Sequence, residues 1–153
     1  ARLGMVGPAA RASGLGVDAR RSHPFPPYDA RPIPVVVGED GDVHARAWVR
    51  FEEARHSALF VVGALSTLPP GPVRVEVGPP ASGRMTVSLV EGWRGEICHA
   101  VVTGADGRFT RYEIVDPSFH DWMGLQVAMR GGQISDFPLC NKSFNLSYSG
   151  HDL

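Results

Sequence analysis

The chain has 153 residues, enough for one domain with a real core, and its 43% hydrophobic and 20% charged residues are those of a globular protein. A formal net charge of -1 gives no footprint for nucleic acid or an anionic membrane. No stretch approaches the roughly 18 to 20 apolar residues needed to span a bilayer, and the N-terminus, Ala1-Arg2-Leu3-Gly4, has no apolar core of a secretory signal.

The start lacks an initiator Met and runs at once into Gly7-Pro-Ala-Ala-Arg-Ala-Ser-Gly14, so the sequence is expected to be a piece of a longer polypeptide. Residues 1–38 are rich in Gly and Pro, which predicts an extended arm that must lie on another surface. Val35-Val36-Val37 offers one short strand. Asp42 is a good N-cap for a helix over 42–67. Val43, Ala47, Phe51, Ala54, Ala58, Val61 or Val62 and Leu65 form its apolar stripe, with Arg46, Arg50 and Glu53 on the opposite, polar side.

Alternation from Val73 through Val75 and Val77 and on to Val115 predicts a small, mostly antiparallel sheet over 73–115. Gly104-Ala-Asp-Gly107 supplies hairpin-turn chemistry inside it. A second helix is expected over 118–131 with Ser118 as N-cap, and 136–153 reads as a short helix that becomes a loop. The fold class is α+β: a long and a shorter helix beside a small sheet.

Local catalytic motifs are lacking. His23, His44, His56, His99, His120 and His151 form no HExxH or other local metal spacing, which leaves a zinc site assembled in space as an open reading. His56 reads as a surface side chain and His99 as a structural histidine on a strand. Ser13 and Ser143 lie outside any Gly-x-Ser-x-Gly elbow, and Gly7, Gly14 and Gly16 do not make a dinucleotide fingerprint. Cys98 and Cys140, with no Cys-x-x-Cys, read as a reduced thiol pair.

Five ordered blocks carry a resemblance. They are Gly7-Pro-Ala-Ala-Arg11-Ala-Ser13-Gly14 with Asp18-Ala-Arg20-Arg21 and Pro26-Pro-Tyr28-Asp29; Gly41-Asp42-Val-His-Ala45-Arg46 through Ser57; Glu91-Gly-Trp-Arg94-Gly95-Glu96; Pro117-Ser-Phe119-His-Asp-Trp122; and Asp136-Phe-Pro-Leu139 with the tail to Leu153. Together they resemble the C-terminal half of the large subunit shared by formate-hydrogenlyase-type NiFe hydrogenases and the 49-kDa subunit of respiratory complex I.

The resemblance implies a helical large-subunit bundle with the small sheet attached. It also implies former nickel-ligand positions at Ser147 and Gly150, where the hydrogenases carry cysteines, and therefore no metal in this chain. A serine hydroxyl and a glycine do not replace thiolates for nickel, and Cys140 lies too early to restore the pair. Hydrogenase activity is thus not expected.

Arg94 corresponds to an arginine that reaches over the metal, or it simply pairs with Glu91 or Glu96. Arg94, Glu91, His99, His151 and Asp152 are the polar residues expected to face the old cavity, and His151 and Asp152 either relay protons or cap the chain end.

By family, the implied setting is an NAD- and quinone-linked membrane complex, with quinone and an iron–sulfur cluster held by partner parts. The implied partners are an iron–sulfur small subunit, membrane subunits and the N-terminal half of the same large subunit, on the cytoplasmic face of the membrane. The resemblance leaves two roles: participation in electron transfer, or a non-catalytic assembly subunit.

Overall fold

A computed structural model describes residues 3–149. In chain order it has α1 (Gly7–Ala12), α2 (Ala19–Ser22), α3 (Val43–Leu65), strands β1 (Met85–Gly92), β2 (Gly95–Thr103) and β3 (Phe109–Val115), α4 (Pro117–Ala128), a 3-10 turn (Ile134–Asp136) and α5 (Phe137–Phe144). The strands form one antiparallel sheet in the order β1-β2-β3, so the architecture is α+β. None of the helices among the described residues is long and apolar enough to cross a membrane.

The first segment departs from the extended arm expected over 1–38. Residues Gly7 to Ala12 are a helix, and all six are buried. Pro8 falls in its first turn, where a missing N–H costs nothing, so proline starts this helix instead of forbidding it. Nor does this part of the arm need a foreign surface. Ala9 packs with Leu125, Cys140, Phe144 and Leu146, while Ala12 packs with Val36, Ala45 and Val49. Two small cores thus meet on either side of α1, whose alanines let the neighbouring elements come close.

α3 begins as expected: the Asp42 carboxylate accepts from the Ala45 N–H at 2.7 Å. Its orientation is the reverse of the expectation. Ala45, Arg46 and Val49 are its buried residues, whereas Phe51, Leu59, Val62 and Leu65 on the apolar side are each more than 60% exposed. The side carrying Arg46, Arg50 and Glu53 faces the interior because polar acceptors await it there.

The sheet is shorter than 73–115. Val73, Val75 and Val77 alternate but lie in no strand and are strongly exposed, and Val35 to Val37 make no strand either. β1 and β2 close through a two-residue turn, Trp93-Arg94, with Gly92 opposite Gly95 and Glu91 opposite Glu96. β2 and β3 close through the Gly104–Gly107 turn with a bulge at Val102/Thr103. The second helix starts at Pro117 rather than at 118, because Asp116, not Ser118, is the N-cap: its carboxylate accepts from the Ser118 N–H at 2.8 Å.

Candidate functional site

The β1–β2 turn is pressed onto the start of α1. Gly7 has φ +61° and Gly95 has φ +135°, and a Cβ placed on Gly95 would stand 2.8 Å from the Gly7 nitrogen. Only glycine permits both the backbone angles and the approach. This contact sets Glu91 and Arg94, on either side of Gly92-Trp93, against the interior face of α1.

Arg11, only 1% exposed, is the hub of a buried charge cluster. Its guanidinium contacts Glu53 at 2.5 Å and Glu91 at 2.7 Å, donates to the Val17 carbonyl at 2.8 Å, and stands 3.6 Å from Asp18. Asp18 in turn takes two hydrogen bonds from the Arg20 side chain, at 2.9 and 2.5 Å, and Glu91 accepts from the Ala19 N–H at 2.9 Å. Burial works against every charge here, and the partners decide each sign. Arg11 is held above its ordinary value because Glu53 and Glu91 outweigh desolvation. Asp18 is held below its own because Arg20 and Arg11 do the same. At Glu91 desolvation wins over Arg11 and the Ala19 N–H, so its carboxyl is raised. A cavity of about 280 Å³ opens beside the cluster, lined by Arg20, Glu53, Ser57, Glu91 and Trp93.

A second group of arginines holds the end of α5. Arg50 donates to the carbonyls of Ser143 and, at 2.8 Å, of Phe144. Arg94 donates to the Asn145 carbonyl at 2.5 Å. Arg46 lies 4.1 Å over the Phe144 ring and donates to the Ser143 hydroxyl at 2.9 Å and the Gly41 carbonyl at 2.6 Å. The last carbonyls of a helix have no partner within it and carry its negative dipole end, so guanidiniums are their natural cap. Asn145, with φ 58°, then turns the chain out of the helix.

The tail beyond Asn145 is fixed by α4. The Ser147 N–H donates to the buried Ser118 Oγ at 2.9 Å, and the Ser147 hydroxyl meets that of Ser149 at 3.1 Å. The described donors at the expected nickel position are therefore hydroxyls. Cys140, the nearest thiol in sequence, is buried on α5 with its sulfur 3.9 Å from Arg46. Hard, protonated hydroxyl oxygens do not suit nickel in a thiolate-type site, so the described residues do not fit that metal. Gly150, His151 and Asp152 lie outside the described residues.

Of the expected site residues, Glu91 and Arg94 are brought to the same interior but to different ends of it. Arg94 forms neither expected ion pair among the described residues: Glu91 is taken by Arg11, and Arg94 serves the tail. His99 is elsewhere, on β2, with Nδ1 2.6 Å from the Tyr112 hydroxyl. Among the described residues no three His, Cys, Asp or Glu side chains stand together as a metal site, and the histidines are dispersed.

Sequence reasoning gave no site role to Arg11, Asp18, Glu53, Ser118 or Asp121. Asp121 is 1% exposed and accepts from the Val6 N–H at 3.0 Å. The available signal was the spacing of Arg46, Arg50 and Glu53, one polar stripe on a helix whose other side is equally apolar.

Residues 1–85 match the family described as the 49 Kd subunit of respiratory-chain NADH dehydrogenase. The carbon monoxide-induced hydrogenase of Rhodospirillum rubrum is 35% identical over 142 residues, which cover 93% of this chain and 39% of that protein. Formate hydrogenlyase subunit 5 of Escherichia coli strain K12 is 33% identical, covering 96% of this chain and 26% of the relative. NADH-quinone oxidoreductase subunit 4 of Thermus thermophilus is 30% identical, with 88% and 39% covered. The chain thus spans about two fifths or less of these relatives. Among solved structures, a chain of the membrane-bound sulfane sulfur reductase, an archaeal respiratory membrane complex, superposes with a TM-score of 0.84 at 24% identity. It covers 98% of this chain and 43% of that one, a likeness of fold.

Proposed function

The chain belongs to the family of the 49 Kd subunit of respiratory-chain NADH dehydrogenase, and from that premise we propose that it is a large-subunit module of a hydrogenase-like or NADH:quinone-oxidoreductase-like membrane complex. In this reading it takes part in electron transfer without a nickel–iron centre of its own. Its position is the peripheral arm on the inner face of the membrane, against an iron–sulfur subunit and membrane subunits. Quinone and the iron–sulfur cluster would be held by those partner parts, and no residue here is assigned to either.

The observation that carries the reading is the tail. Arg46, Arg50, Arg94 and Ser118 hold residues 143–147, mainly through backbone-directed hydrogen bonds, although the donors present there do not suit nickel. A tail held by the protein's own side chains serves as a wall of a cavity and a support for a neighbour. The exposed apolar side of α3 adds support, because apolar patches of this kind mark interaction surfaces.

The test is to purify the complete complex that contains this chain, assay quinone reduction and measure nickel. Quinone reduction with no stoichiometric nickel is the expected result. Stoichiometric nickel overturns the metal-free reading. A complex that keeps its quinone reduction after removal of this subunit overturns its part in electron transfer.

A further inference from the structure

Asp121 differs from the carboxylates packed around Arg11. Asp18, Glu53 and Glu91 each face a guanidinium within ion-pair distance. Asp121 is as buried as Asp18, yet among the described residues it belongs to no ion pair, and its one hydrogen bond comes from the neutral N–H of Val6. A buried carboxylate with a single neutral donor is costly when charged and inexpensive when protonated.

The groups that act on it come from three elements: Arg50 of α3, Arg11 of α1 and Glu91 of β1. Arg11 is already committed to Glu53 and Glu91. From α5, Cys140 lies in the apolar core with Leu125 and against Arg46. From β2, which also touches α4, His99 is tied to Tyr112, and Glu96 and Cys98 are the other titratable groups. Burial, outweighing Val6, Arg50 and Arg11, pushes the Asp121 carboxyl up to about 7.

Arg50 is the cation with a donor left to respond. Its two terminal nitrogens hold the Ser143 and Phe144 carbonyls, while its Nε is buried with no hydrogen-bond partner among the described residues. We propose that Asp121 is an interior proton-binding site, and that loss of its proton draws Arg50 toward α4 and loosens its grip on the end of α5. The consequence reaches the tail twice. Arg50 holds residues 143 and 144, and Ser118, one turn before Asp121 on α4, holds Ser147. The ligand is a proton, and the response is the firmness of residues 143–147.

The test uses the full chain with carbonyl-labelled aspartate, followed by carboxyl NMR from pH 4 to 9, alongside hydrogen exchange at the amides of Asn145 and Ser147. One aspartate carboxyl is expected to titrate near neutral pH, and Asp121→Asn removes that titration while Glu91→Gln leaves it. Over the same range, exchange at the two amides, corrected for its intrinsic pH dependence, rises by up to roughly tenfold per pH unit above neutrality, and is flat in Asp121→Asn. Titration of every aspartate in the ordinary carboxylate range in the unsubstituted chain overturns the site, whether or not the variant folds. A near-neutral titration with exchange that does not change overturns the coupling to the tail.

Discussion

Gly7 and Gly95 meet backbone to backbone: a Cβ on Gly95 would lie 2.8 Å from the Gly7 nitrogen and 2.8 Å from Val6 Cγ2. The contact is where the β1–β2 turn is fastened to α1, and Glu91 and Arg94 are placed by it. Gly95→Ala combines a strained φ of +135° with a clash against backbone that cannot move aside. We expect it to cost more than about 3 kcal/mol in urea unfolding. Gly83→Ala, with φ +61° and nothing within 4 Å, is the control at about 1 kcal/mol. Equal costs at the two sites would remove the close-approach argument.

Arg11 neutralises buried carboxylates from α3 and β1 at once, so its removal leaves Glu53 and Glu91 uncompensated. Arg11→Met is expected to destabilise the chain by about 3 to 5 kcal/mol. Restoring charge balance with Glu91→Gln in the same chain should recover part of that loss. A double variant no more stable than Arg11→Met, by denaturant midpoint, would show that Glu91 is not the strained partner.

Stability should fall as pH rises from about 4 to 7. The Asp121 carboxyl, at about 7 in the folded chain, and that of Glu91, raised by burial, both lie above their unfolded values. Their contribution is therefore complete below the unfolded pKa and lost as pH climbs through the folded one. Asp18, held low by its arginines, acts oppositely and is lost only as pH falls below its ordinary value. For Asp121 the full span is worth up to about 4 kcal/mol. Melting temperatures should be higher at pH 5 than at pH 8, and Asp121→Asn should flatten most of the difference.

The outward side of α3 predicts association. Leu59 and Val62, 61% and 66% exposed, sit on a stripe with Phe51 and Leu65. Replacing both by Gln should leave the melting temperature within a few degrees, since neither side chain is in the core. The same pair should abolish concentration-dependent association of the isolated chain in sedimentation velocity. A strictly monomeric parent chain would remove the premise.

Periodicity and capping made α3, the β2–β3 hairpin and α4 legible, because those signals are local. The side of α3 that turns inward was not legible in this way. The Arg50 guanidinium is held by carbonyls at the end of α5, nearly a hundred positions away, and no helical period encodes where those carbonyls will be. Hydrophobic residues on the other side therefore looked like the core-facing stripe. α1 was hidden for a different reason. Gly7 and Pro8 are helix breakers in an average context, but here one permits a close approach and the other begins the first turn. The tail was legible as a pattern, whereas its hold by Ser118 and three arginines depended on the fold.

The bond from Val6 to Asp121 spans 115 positions and that from Arg46 to Ser143 spans 97. A ribosome making this chain therefore releases α1 long before α4 and α5 exist to receive it. Until residues near 147 emerge, the core of Ala9 with Leu125, Cys140, Phe144 and Leu146 is incomplete, and the buried charges of α1 and α3 lack part of their counterparts. Maturation of this module is thus set by loop closure late in synthesis, and the nascent segment is the stage most exposed to proteases and chaperones.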